Sequence, residues 1–154
     1  MSLVDSEALV RRLSTMHHQQ FNRLLRAVCD IAAIPQWQQV CAHRTLRLRD
    51  QMVRLHFEET ADVRRLYAYV DLGEGASVDD RMARQLLQLN CTPGAWILGH
   101  FGLHGVSGRP LYVASLRTDG EVEDAQPIVD WLGHLVHPLH ELAHRHGRPP
   151  EVRP

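Results

Sequence analysis

The C-terminal part of the chain contains three residues whose types and spacing could bind zinc. His140, Glu141 and His144 form an H-E-x-x-H pattern within "HLVHPLHELAHRHG", residues 134–147. On a helix this spacing places two imidazoles on one face, with the glutamate available as a general base, as in zinc peptidases. The longer metzincin pattern requires a third histidine where Pro150 stands.

The periodicity of the surrounding helix argues against a metal site. At about 100° per residue, the apolar residues of this segment share one face: Ile128, Trp131, Leu132, Leu135, Leu139 and Leu142. The opposite side carries the histidines: His137, His140 and His144. Because a helix buries its apolar face, we expect a solvated polar surface, with no catalytic residue, no bound metal and no cofactor. A fortuitous surface metal site at these histidines and a zinc hydrolase using His140, Glu141 and His144 remain alternatives.

Other catalytic patterns are absent from the sequence, and the composition is that of a small globular protein. There is no G-x-S-x-G elbow, no G-x-G-x-x-G turn and no phosphate-binding loop. With 154 residues, the chain has the length of one domain. Its formal net charge of −1 favours neither nucleic acid nor an anionic membrane as partner. No apolar run approaches the roughly 18 residues of a membrane span, so we expect no membrane insertion. The three scattered cysteines indicate reduced thiols in the cytoplasm.

The first half of the chain changes its apolar period from helical to alternating. Residues 21–33 form an amphipathic helix that Pro35 ends, and an upstream stripe could extend it back to residue 6 as one helix or two. After a polar connection, three segments alternate apolar and polar residues: "TLRLRD", "QMVRLHFEE" and "RRLYAYVDL". They predict three half-buried strands in an antiparallel meander, with one face on a core and the other in solvent.

The second half predicts a helix, a hairpin and a final helix. Ser77 and Asp80 form a capping box for a helix over residues 78–90. Trp96 to His104 and Leu111 to Leu116 then read as the two arms of a hairpin.

Within the first of these arms, Gly99 and Gly102 indicate a bulge or a close backbone approach. Residues 124–145 form the final helix, which Pro138 is expected to kink.

Together these elements predict an α+β fold: a helix, a three-stranded antiparallel meander, a helix, a β-hairpin and a C-terminal helix. We divide the chain into an N-terminal extension (1–20), a folded domain (21–146) and a disordered tail (147–154).

One stretch resembles a known family. Residues 79–117, "DDRMARQLLQLNCTPGAWILGHFGLHGVSGRPLYVASLR", are similar to the most recognisable part of class I type III secretion chaperones, the Tir-chaperone (CesT-like) family. The likeness lies in a helix ending in Leu86-Leu87-Gln88-Leu89-Asn90, a glycine-containing strand and a second apolar strand after a turn. It extends over about residues 21–146, and its motifs are degenerate. The near-neutral, arginine-rich composition departs from the acidic character of many members.

The resemblance implies a cytoplasmic homodimer without catalytic activity that holds the N-terminal region of a secreted effector in an export-competent form. An exposed sheet edge could receive such a segment by strand addition. By analogy with the family, the second predicted helix would form the dimer interface through Met82, Leu86 and Leu89, although these could equally be core residues. The effector would contact residues of the first helix and fourth strand: Leu25, Val28, Trp96, Leu98 and Phe101.

A second interpretation keeps the fold and changes the role. A bacterial regulatory or sensory protein of the YbjN-like group would have a similar topology. The two interpretations differ in whether an effector accompanies the protein when it is purified.

Overall fold

The computed structural model describes residues 18–59, 64–72, 78–92, 99–118 and 124–146, with side chains described up to residue 140 in the last of these ranges. The Ser77, Trp96 and Leu98 predictions, and those for the chain ends, lie outside them. The elements follow in the order α1 (18–31), α2 (Trp37–His43), β1 (Thr45–Leu48), β2 (Gln51–Glu59), β3 (Arg64–Asp71), α3 (Asp80–Asn90), β4 (Gly99–Leu103), β5 (Pro110–Arg117) and α4 (Gln126–His146).

The five strands form one antiparallel sheet in the order β1-β2-β3-β5-β4. On β2 and β3 the buried residues alternate with exposed or half-buried ones, as the two-residue period predicts. The α+β class is therefore confirmed, and the element order follows the prediction apart from one additional helix.

That additional helix is α2, which lies in the stretch predicted as a polar connection. Val40 is the only buried residue of α2, so the apolar periodicity of this seven-residue segment is too weak to predict a helix from the sequence. Two cations hold it against α1. The Arg26 guanidinium lies 4.6 Å from the ring centroid of Trp37, and the Arg44 guanidinium lies 4.3 Å from that of Phe21.

The helices contribute to a single core on one face of the sheet. Phe21 of α1 stacks on Phe57 of β2 with ring centroids 5.5 Å apart. The apolar face predicted for α4 is buried in the same cluster through Ile128, Trp131, Leu132, Leu135, Val136 and Leu139. Burial of these side chains supplies the main stabilisation of the fold. No helix among the described residues is long and apolar enough to cross a membrane.

The start of α3 corrects the predicted capping box. The helix begins at Asp80, and its N-cap is Asp79, whose carboxylate accepts a hydrogen bond of 2.7 Å from the backbone N–H of Met82. The predicted helix start at residue 78 was therefore two residues early, and the cap is Asp79. Asp79 has the extended backbone that an N-cap requires and satisfies one of the free N–H groups of the first turn.

The two glycines predicted to mark a close approach behave differently. At Gly99 an added Cβ would overlap the backbone carbonyl of Val113 on the neighbouring strand, so only glycine fits there. At Gly102 the same atom would meet open space, so the prediction holds for one position only.

Candidate binding site

The second face of the sheet is not covered by any described helix. On this open face β2 presents Arg54 and His56, which are exposed, and β3 presents Tyr67 and Tyr69, which are half-buried. Their strand neighbours point into the core, because successive side chains of a strand alternate between faces. The sequence alternation had placed these polar and aromatic residues toward solvent, which the structure confirms.

The aromatic residues of the open face form a row of rings. Tyr67 and Tyr69 stack with centroids 6.5 Å apart, and the His56 imidazole lies 6.2 Å from the ring of Tyr67. Register explains the contact, since His56 is directly opposite Tyr67 on the adjacent strand. Aromatic rings that are exposed or half-buried on a rigid sheet provide contact area with little loss of side-chain entropy on binding.

Beside this row lies a concave cavity of about 700 Å³. Strands β1, β2, β3 and β5 form its floor, and the β4–β5 turn forms one wall. It is lined by Thr45, Met52, Arg54, His56, Tyr69, Asp71, His104, Ser107, Arg109 and Leu111. Its size falls within the range of natural ligand pockets.

Side-chain contacts of two residues, Arg109 and His104, fix the turn that forms the wall. Arg109 makes an ion pair of 2.8 Å with Asp71 of β3. The Nδ1 atom of His104 accepts hydrogen bonds from the backbone N–H groups of Val106 and Ser107, at 3.3 and 3.1 Å. In the neutral ring the proton therefore resides on Nε2, which remains a donor. The cavity wall is thus held by polar contacts, and several of the groups lining the cavity are hydrogen-bond donors.

The edges of the sheet offer less to a partner than the open face does. At β4 the side-chain amide of Asn90 donates to the carbonyl oxygen of Phe101 (3.0 Å) and accepts from its N–H (2.7 Å). These are the groups that an added strand would use at this position. The opposite edge, β1, has only four residues. Short and capped edges discourage strand addition.

The predicted dimer residues lie in or against the monomer core. Leu86 is 7% exposed and belongs to the core cluster, and Met82 and Leu89 are partly buried against it. The exposed apolar side chain of α3 is Leu87, at 64%. The structure therefore places the predicted interface residues in the core role that the sequence also allowed.

The predicted effector contacts are likewise found in the core wherever they are described. Leu25 and Val28 of α1 are each 1% exposed, and Phe101 of β4 is 4% exposed. In this conformation their side chains are not accessible to a partner. The accessible residues belong to the opposite, polar phase of the strands, which the predicted effector contacts do not include.

One histidine of α4, His137, is bonded to a residue of the β1–β2 turn. The Arg49 guanidinium donates a hydrogen bond of 2.7 Å to Nδ1 of His137, which engages the lone pair that this nitrogen would offer to a metal ion. Among the described residues no group of three or more His, Cys, Asp or Glu could hold a metal ion. The side chains of Glu141 and His144 are outside that set.

Comparison of the chain with protein-family models, with curated proteins and with solved structures finds no match. The relation to the secretion chaperones therefore stays a prediction from the residues themselves.

Proposed function

We propose that this chain is a cytoplasmic, non-catalytic binding module that holds an extended segment of another protein, in the manner of a class I type III secretion chaperone. The partner would be a secreted effector bound through its N-terminal region. The observation that supports the proposal is the open sheet face, where a 700 Å³ cavity adjoins a row of half-buried and exposed rings. Aromatic side chains on a rigid scaffold give an extended segment contact area with little loss of side-chain entropy.

The mode of binding follows from the contrast between face and edges. Strand addition at β4 would have to displace both hydrogen bonds between Asn90 and Phe101. The open face requires no such displacement, because Tyr67, Tyr69 and Arg54 already present their side chains outward. We place the segment across this face, with its side chains in the cavity and along the rings.

The dimer implied by the family resemblance is part of the same proposal, but the residue of α3 that would form its interface differs from those predicted. Because Leu86 is in the core, the side chain that α3 offers to a second copy is Leu87. An exposed leucine on a helix supports such a contact, since aliphatic side chains removed from water stabilise an interface by about 25 cal/mol per Å².

The test is affinity purification of the tagged protein from its native host while the secretion system is expressed. Mass spectrometry identifies what accompanies it, and the N-terminal segment of that protein is then made alone. The proposal expects the isolated segment to bind tightly and to lack tertiary structure in the complex by NMR.

A paired variant distinguishes specific binding from carry-over. Replacing Tyr67 and Tyr69 together by alanine should release the segment, whereas replacing exposed Gln38 of α2 should not. Purification without any partner would contradict the chaperone role and favour the regulatory, YbjN-like interpretation.

A further inference from the structure

We propose that the segment bound on the open face is acidic, and that Arg54 and His104 receive one of its carboxylates inside the cavity. This inference rests on the proposed function, because it concerns the chemistry of the segment that the face would hold.

The charge of the open face differs from that of the whole chain. Register and alternation place four arginines on it: Arg47, Arg54, Arg65 and Arg117. A fifth, Arg109, lines the cavity. Among the described residues, the same surface carries two acidic ones, Glu58 and Asp71. The described part of the face therefore has three net positive charges, although the chain as a whole has a formal charge of −1.

The two acidic residues have arginines beside them. Asp71 pairs with Arg109 at 2.8 Å, and Glu58 stands directly opposite Arg65 in the register. Arg54 is different, because its direct cross-strand neighbours are the uncharged Thr45 and Tyr69. The centre of the face thus presents an exposed guanidinium to whatever occupies the cavity.

The cavity groups around Arg54 suit a carboxylate. Arg54 can bind both oxygens of a carboxylate through two parallel N–H groups. His104 lines the same cavity. Because its Nδ1 accepts hydrogen bonds from the turn, its Nε2 carries the proton and can donate to a carboxylate. The apolar Met52 and Leu111 also line it and would contact the methylene groups of an Asp or Glu side chain or of a neighbouring residue. Donors with an apolar floor match an acidic segment that also contains apolar residues.

A single-stranded nucleic acid would be the other occupant of a basic, aromatic sheet. The structure favours the peptide, because the apolar Met52 and Leu111 that line the cavity match the apolar side chains of a peptide and have no counterpart in a phosphate backbone.

The test is selection of a random linear peptide library on the immobilised protein, followed by affinity measurements by fluorescence anisotropy. We expect the selected peptides to be enriched in Asp and Glu and to bind less tightly at high salt. Arg54→Glu should weaken their binding by about tenfold or more. Arg23→Glu makes the same change in charge at an exposed position of α1, on the covered side of the sheet, and should leave affinity unchanged.

Each result leads to one conclusion. Selected peptides without acidic enrichment, or acidic peptides that bind Arg54→Glu as well as the wild type, would overturn this inference and leave the proposed function standing. If no peptide is selected at all, the proposed function fails with it. Oligouridylate is measured in the same anisotropy assay. If it binds more tightly than any selected peptide, the occupant of the face is a single-stranded nucleic acid and not an acidic segment.

Discussion

The side-chain amide of Asn90 forms two hydrogen bonds with the backbone of Phe101, at 3.0 Å to its carbonyl oxygen and 2.7 Å from its N–H. Asn90 is the last residue of α3, and Phe101 is the central residue of edge strand β4. The amide therefore takes the place of one residue of a further strand. It fixes the end of the helix to the sheet and blocks the middle of an edge that could pair with another chain.

Removing this amide should loosen the contact between α3 and β4. We expect Asn90→Ala to lower the free energy of unfolding by about 1–3 kcal/mol, since each hydrogen bond contributes about 0.5–1.5 kcal/mol. The Phe101 amide should also exchange its hydrogen faster. Urea unfolding and hydrogen exchange measure the two effects.

A neighbouring substitution provides the control for Asn90. Gln88→Ala changes an exposed residue of the same helix and should alter neither quantity. If Asn90→Ala unfolds at the urea concentration of the wild type, with the Phe101 amide equally protected, the two hydrogen bonds do not hold the edge.

The strands could be predicted from the sequence because each is half-buried, so that apolar and polar residues alternate. The apolar face of α4 was predictable for the corresponding helical reason. The β1–β2 turn was not, because Arg49 and Asp50 both adopt positive φ (47° and 64°), where glycine or asparagine would be expected. Only the folded chain shows that Arg49 then reaches His137.

The candidate site was predictable only in part. Alternation identified Arg54 and Tyr69 as solvent-facing, but the register that places them opposite each other depends on strand pairing. His104 and Arg109 join them because the β4–β5 turn folds over this face. A single sequence does not contain these long-range relationships as a local pattern.

Cys29 makes stability depend on alkaline pH. Its side chain is fully buried, and burial, with smaller contributions from the nearby Cys41 and Asp30, raises the pKa of its thiol from 9.0 to about 11. Between these values the unfolded chain has lost the thiol proton and the folded protein keeps it, so the unfolded state binds fewer protons. The titration of Cys29 should therefore leave the free energy of unfolding unaffected below pH 9 and lower it by about 2–3 kcal/mol as pH rises toward 11.

Urea unfolding across this pH range tests the linkage, with Cys29→Ala as the comparison. The variant should lose less stability over the same interval. Some decline will persist, because burial also raises the pKa of Cys41 and of Tyr112. Parallel pH profiles for wild type and variant would show that Cys29 does not titrate as the structure indicates.

Ala33 should be improved by substitution with glycine. It follows α1 with a φ of 56°, and the N–H of Ile34 bonds to the carbonyl oxygen of Cys29 at 2.8 Å, as in a Schellman helix end. A Cβ is unfavourable in this conformation by about 1 kcal/mol. We expect Ala33→Gly to raise the free energy of unfolding by about that amount in urea titrations.

The opposite sign is expected inside a helix. Ala42→Gly, at an exposed position of α2, should lower stability by roughly 0.5–1 kcal/mol. A loss of stability in both variants would mean that the backbone at Ala33 is not constrained as described.

Substitutions at Leu86 and Leu87 distinguish the core role of α3 from its proposed role in the dimer. Leu86 is 7% exposed and Leu87 is 64% exposed. Leu86→Asp places a carboxylate in the core and should cost about 3 kcal/mol or more, visible as a lowered unfolding midpoint. Leu87→Asp leaves the monomer core intact and should convert a dimer to a folded monomer in sedimentation velocity experiments. Gln88→Asp, which adds the same charge at an adjacent exposed position, should remain a dimer. A Leu87→Asp protein that sediments as a dimer would remove α3 from the interface, since the substituted side chain is the one this helix presents to a second copy.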